Sequence, residues 1–131
     1  MKILAIDWGV NKTGLAVGST ETKLALPFSV LKQANQSQLI QQLKKIIDDE
    51  EIELLLVGEP KTMAGGESQQ TRLLHDFVNQ LKLQLAVKVE LMDERLTTKR
   101  SMAPSPLPTR SNDELAAMYL LQDYLDRYNL V

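Results

Sequence analysis

An α/β architecture is what this sequence predicts: a five-stranded mixed sheet in the order 3-2-1-4-5 with helices on its faces, built by residues 1–131 as one domain. Three observations lead there. The first thirty-odd residues hold three short β-type runs with no helical segment between them. Two later apolar runs are each reached through a segment of helical period, as a crossover between parallel strands requires. A broad apolar face at helical spacing then closes the chain.

Lys2 to Asp7 is an apolar run that ends on a carboxylate, and Trp8 to Gly14 supplies a turn before Leu15 to Gly18 resumes the apolar pattern. After a polar turn from Ser19 to Lys23, Leu24 to Leu31 reads as a third strand, which Pro27 marks as an edge strand or an irregular segment. Asn35 or Ser37 caps a helix that runs through Asp49, with Leu39, Ile40, Leu43, Ile46 and Ile47 at the helical period. Leu54-Leu55-Leu56-Val57 is apolar without alternation, the mark of a central strand covered on both faces, and Gly58-Glu59-Pro60 bounds it.

Lys61 to Ser68, with Gly65 and Gly66, reads as a loop before a helix from Glu67 or Ser68 to Leu83. Leu73, Leu74, Phe77, Val78 and Leu81 form the apolar stripe of that helix, and His75 falls beside it as a boundary residue with no acid at a clear spacing. Ala86 to Leu91 alternates, with Lys88 and Glu90 outward, which fits a strand near the sheet edge. Pro104, Pro106 and Pro108 forbid a helix from Arg100 to Arg110. Ser111 and Glu114 have the spacing of a capping box, so the last helix opens there with Asp113 in its first turn.

Composition narrows the chemistry. The chain has no cysteine and one histidine, which excludes disulfides and thiolate ligands and argues against a zinc site. A bound metal would therefore take oxygen ligands, which points to magnesium or manganese. No stretch reaches the eighteen or so apolar residues of a membrane span, and the N-terminus runs directly into a strand, so a soluble cytoplasmic protein without membrane contact is expected. Fifteen Lys and Arg against seventeen Asp and Glu give a formal charge of -2, so nucleic acid would have to meet a local basic patch.

In an open sheet a site forms beyond the carboxyl ends of the central parallel strands. The predicted order brings Asp7, Glu59 and Asp93-Glu94 to that edge, and the start of the last helix can add Asp113. Taken singly each acid has an ordinary explanation: Asp7 forms a turn, and Asp113 answers the dipole and free amides of a helix start. Taken together they repel unless a cation holds them, and two divalent ions between such acids hydrolyse phosphodiesters. Arg95, Thr97, Thr98, Lys99 and Arg100 follow the Asp93-Glu94 pair as phosphate donors, or as an ordinary charged strand exit in which Arg95 neutralises its neighbours. No dinucleotide fingerprint or Walker motif is present.

Four motifs in one order carry a resemblance. Ala5-Ile6-Asp7-Trp8-Gly9 with Lys12 to Val17, Leu56-Val57-Gly58-Glu59-Pro60 with Met63 and Gly65, Asp93 to Thr98, and Asp113 to Ala117 with Leu120 to Leu125 resemble the YqgF family. These Holliday junction resolvase-like proteins are assigned as nucleases for the 5′ end of pre-16S ribosomal RNA. The resemblance spans almost the whole chain. It implies a ribonuclease H-like fold, Asp7, Glu94 and Asp113 as an acidic triad, and Mg2+ or Mn2+ as cofactor. It also implies structured nucleic acid as partner, precursor ribosomal RNA or a ribosomal assembly intermediate. Lys12 joins Arg95, Thr97, Lys99 and Arg100 as expected nucleic-acid contacts, on a monomer or weak dimer.

Three positions depart from the family pattern. Trp8 stands where tyrosine or phenylalanine is usual, and Glu59 replaces the leucine of Gly-Leu-Pro, adding an acid that could join the metal shell. Ser101 to Thr109 is short and proline-rich where the family carries a longer basic loop, which removes positive charge. Alternatives to RNA cleavage are therefore DNA junction resolution, which needs a dimer, and an assembly factor that binds RNA without cutting it.

Overall fold

The computed structural model describes residues 1–59, 69–93 and 112–128. Five strands, β1 (Lys2–Asp7), β2 (Lys12–Ser19), β3 (Ala25–Lys32), β4 (Leu54–Glu59) and β5 (Lys88–Asp93), form one sheet in the order β3-β2-β1-β4-β5, as expected. Among the described residues three helices accompany them: α1 (Gln36–Glu50), α2 (Gln69–Gln84) and α3 (Asn112–Tyr128). β1 pairs antiparallel with β2 and β2 with β3, whereas β1 with β4 and β4 with β5 are parallel. The proline-rich stretch, the loop after Glu59 and the residues Glu67 and Ser68 offered as starts of the second helix lie outside the described residues.

Alternation sorts the sheet into two cores. Leu4 and Ile6 of β1 and Leu55 and Val57 of β4 face α1 and α2, where they pack with Leu39, Leu43, Leu74, Phe77 and Leu81. Ile3, Ala5, Leu54 and Leu56 face the other way and pack under Ala117, Leu120, Leu121 and Leu125 of α3. β4 is buried along its entire length, as its unbroken apolar run predicts. Complete burial of each such leucine contributes about 1.5–3 kcal/mol, so these layers hold the strand ends in place.

Local signals set the boundaries. The Asn35 side chain caps α1 by accepting from the Gln38 amide at 2.8 Å, and the Gln38 side chain returns a bond from Ala34 N–H at 2.6 Å. Glu51, at φ 56°, ends that helix in the left-handed region. Several strand bounds differ from expectation. β2 begins at Lys12, not Leu15, because Thr13 is fully buried and Gly14 pairs with Asp7. β4 continues through Glu59, paired with Asp93, and β5 starts at Lys88 and ends at Asp93. Glu90 was expected outward; it is half-buried and accepts a hydrogen bond from the Tyr124 hydroxyl of α3 at 2.9 Å.

Candidate functional site

Because β1, β4 and β5 run parallel, their carboxyl ends share one edge, and Asp7, Glu59 and Asp93 are the last residues of those strands. The side chains do not all meet. Asp7 follows Ile3 and Ala5 in the alternation and so belongs to the α3 face. Glu59 follows Leu55 and Val57 to the opposite face, where its carboxylate is buried and hydrogen-bonded to Nε2 of His75 on α2. Glu59, expected as a further metal ligand, thus belongs by alternation to the face opposite that of Asp7. Asp93 shares the Glu59 register and parity.

The direction of α3 bears on Asp113. Gln122 accepts from Ala25 N–H at 3.0 Å and donates to the Lys23 carbonyl at 3.1 Å, which ties this part of α3 to the sheet end where β1 begins. Leu121 lies there too, since a methyl added to Gly18, the partner of Ile3, would meet its Cδ2 at 3.1 Å. From Leu121 back to Asp113 the helix spans about 12 Å at 1.5 Å per residue. Ile3 to Asp7 spans about 13 Å of strand. α3 therefore lies on the same face of the sheet as Asp7. Small side chains at Ala5, Ala16, Ala25 and Ala117 let the helix lie close.

Lys12 opens β2, exposed, at the edge that also holds the Asp7 and Gly14 pair. Glu94, Arg95, Thr97, Lys99 and Arg100 lie outside the described residues, as do the side chains of Asp113 and of the capping-box pair.

The turn after Asp7 is held from several sides. Trp8 points to the α2 face and stacks on Phe77 with centroids 5.8 Å apart. Gly9 is required by close approach, because a Cβ there would sit 2.4 Å from the Lys12 carbonyl oxygen. Gln33, a buried residue that sequence reasoning did not single out, donates through Nε2 to the carbonyl of Gly9 at 2.8 Å and to Thr13 Oγ1 at 3.1 Å. Its own amide donates to the Asn11 carbonyl at 3.0 Å. A glutamine just past an edge strand gave no local signal of this role. The Glu59 and His75 pair was missed for a similar reason, since a strand end and a crossover helix meet only in three dimensions.

Among the described residues no three His, Asp or Glu side chains stand together as a metal site. The donor chemistry at the Asp7 edge is nevertheless that of a hard cation: Asp7 offers a carboxylate, the chain has no thiol, and its one histidine is engaged by Glu59 on the other face. Magnesium or manganese fits such an oxygen-only set.

The model of a family described as RuvX, Holliday junction resolvase, matches residues 1–127. A protein of Natranaerobius thermophilus named "Putative pre-16S rRNA nuclease" is 31% identical, with 97% of this chain and 95% of the relative covered. A relative of the same name from Rickettsia typhi is also 31% identical, with 98% and 88% covered. Among solved structures, T. thermophilus RuvC in complex with Holliday junction substrate superposes with a TM-score of 0.69 at 15% identity, covering 100% of this chain and 97% of that one. That likeness shows the fold, a ribonuclease H-like resolvase sheet.

Proposed function

The chain belongs to the RuvX family, and on that premise we propose that it is a divalent-metal-dependent endonuclease for structured RNA, acting at the 5′ end of precursor 16S ribosomal RNA, with Asp7, Glu94 and Asp113 as its acidic triad. The observation that carries the reading is Asp7 at the carboxyl end of the central parallel strand, on the face crossed by the helix that begins with Asn112 and Asp113. The names of the curated relatives support RNA as substrate. Among the described residues no helix is long and apolar enough to cross a membrane, which accords with work in the cytoplasm.

Asp7, Glu94 and Asp113 would hold magnesium or manganese; such an ion makes water nucleophilic at neutral pH and stabilises the leaving oxygen. The chain's own residues set the geometry. β1 is paired on both sides and Asp7 is held in register with Gly14, while the Trp8 stack and the Gln33 bonds hold the turn that follows. Lys12, Arg95, Thr97, Lys99 and Arg100 contact phosphates and set the strand's register without reading its sequence. Glu59 stands apart from this shell.

The deciding experiment is Asp7→Asn, which keeps shape and removes charge. Cleavage of a structured precursor-rRNA fragment at matched magnesium should fall by about 100-fold or more, with RNA binding and thermal unfolding retained. Cleavage at the parental rate would remove Asp7 from the triad. A parent that binds RNA and magnesium but never cuts would make the chain an assembly factor, and a parent that cuts only four-way DNA junctions, as a dimer, would make it a resolvase.

A further inference from the structure

At the sheet end remote from Asp7 lies an open groove of about 740 Å3, formed where β1 starts, β2 ends and β3 starts, beside the last turn of α1. Its apolar lining comes from Val17, Leu24 and Leu26, and the two leucines are 54% and 52% exposed. Glu21, Glu50, Glu51 and Glu53 surround them. Lys2 answers Glu50 at 3.3 Å, and the Met1 amino group lies 3.8 and 3.9 Å from Glu21 and Glu53. Four carboxylates thus face two cations, and the rim keeps an excess of negative charge.

The leucines are presented, not merely uncovered. Ser19 Oγ accepts from the amides of Glu21 and Thr22, both at 3.1 Å, and Lys23 N–H closes the turn on the Ser19 carbonyl at 2.9 Å. Lys23 sits at φ 60°, a conformation that disfavours a side-chain-bearing residue. Gln122 holds both flanks of Leu24 through the Lys23 carbonyl and the Ala25 amide. This brace turns Ala25 into the core and leaves Leu24 and Leu26 outside.

We propose that this groove docks a basic segment of a partner protein, an aliphatic side chain flanked by lysine or arginine. The aliphatic group would cover Leu24 and Leu26 while the flanking cations meet the glutamates. Nucleic acid is the wrong occupant because its phosphates meet an acidic rim. A second copy of this chain suits it poorly, since two half-exposed leucines fall far short of an obligate dimer face. Pro27 withholds an amide from the β3 edge, so side chains, not added strand pairing, supply recognition. The groove opens away from the Asp7 edge, so such a partner leaves that edge clear. The inference goes beyond the nuclease reading and does not depend on it.

The probe is a displayed library of random twelve-residue peptides selected on the full chain, with the hits remeasured as labelled synthetic peptides by fluorescence anisotropy. Enrichment should favour lysine and arginine around leucine, isoleucine or valine. Binding should weaken at least tenfold in Leu24→Ser/Leu26→Ser and in Glu21→Lys/Glu51→Lys, both exposed changes whose folding is checked by thermal unfolding. Raising salt should weaken parental binding, and the Asp7→Asn protein should bind like the parent. Absence of enrichment, enrichment of acidic peptides, or hits indifferent to both double variants would overturn the proposal. So would a sedimenting dimer of the parent that Leu24→Ser/Leu26→Ser dissociates, which would assign the face to a second copy.

Discussion

The two faces of the sheet handle a strand-end carboxylate in opposite ways. On the α1 and α2 face, large side chains such as Phe77, Leu39 and Leu81 fill a thick layer, and the acid at its rim, Glu59, is buried and matched by His75. On the α3 face the layer is thinned by four alanines, a single helix lies close, and the acid at its rim is Asp7. A buried carboxylate with a histidine partner has a hydrogen-bonding group supplied by the protein itself. The comparison sets two acids that end adjacent parallel strands on opposite faces of one sheet.

The largest effect expected on either face is that of Phe77→Ala, which should cost about 3–5 kcal/mol in stability through a cavity under the Trp8 stack. Denaturant titration would measure it; a loss below 1 kcal/mol would mean the thick layer is not what anchors the Asp7 turn. Next comes the contrast between Asp7→Asn and Glu59→Leu in magnesium titrations. The first should lose most magnesium affinity and the second should keep the parental value, whereas equal losses would place Glu59 back in the shell and erase the distinction between faces.

Ala117→Leu should cost about 1–3 kcal/mol by overpacking and lower cleavage beyond its effect on the folded fraction, because it lifts α3 from the sheet. Unchanged turnover of the folded protein would show that close approach is not needed. The smallest effect concerns the pair itself. His75→Ala removes a hydrogen bond from a buried carboxylate and should cost about 1–3 kcal/mol, while Glu59→Gln, which keeps a hydrogen-bonding side chain beside a half-exposed histidine, should cost less. Thermal melts giving the reverse order would deny that Glu59 is the costlier group to leave alone.

Much of the fold could be read from the residues: the uninterrupted apolar run of Leu54 to Val57 marked the central strand, and Asn35 marked the start of α1. The face of Glu59 could not. Alternation tells inside from outside only when one face is wet, and a strand buried on both sides shows the same apolar residues to each layer. Leu54-Leu55-Leu56-Val57 therefore carries no sign of which way Glu59 turns. The pairing with His75 depends on how α2 returns over the sheet, which no local spacing encodes. The end of β1 at Asp7 was legible because turn glycines and a change from apolar to polar residues follow it directly.

The position of α3 as the last described element has a consequence during synthesis. β1, β2 and β3 form a meander of near-neighbour contacts that closes early, whereas β1 with β4 and α3 with the sheet join residues far apart in sequence. On a ribosome emerging residues are threaded out in order, so the face bearing Ile3, Ala5 and Asp7 stays bare until α3 is released. Nascent chains halted before Asn112 should bind a hydrophobic dye and fail to cleave RNA, and both properties should switch together when the helix is supplied. A nuclease built this way would then be inert until α3 has left the ribosome.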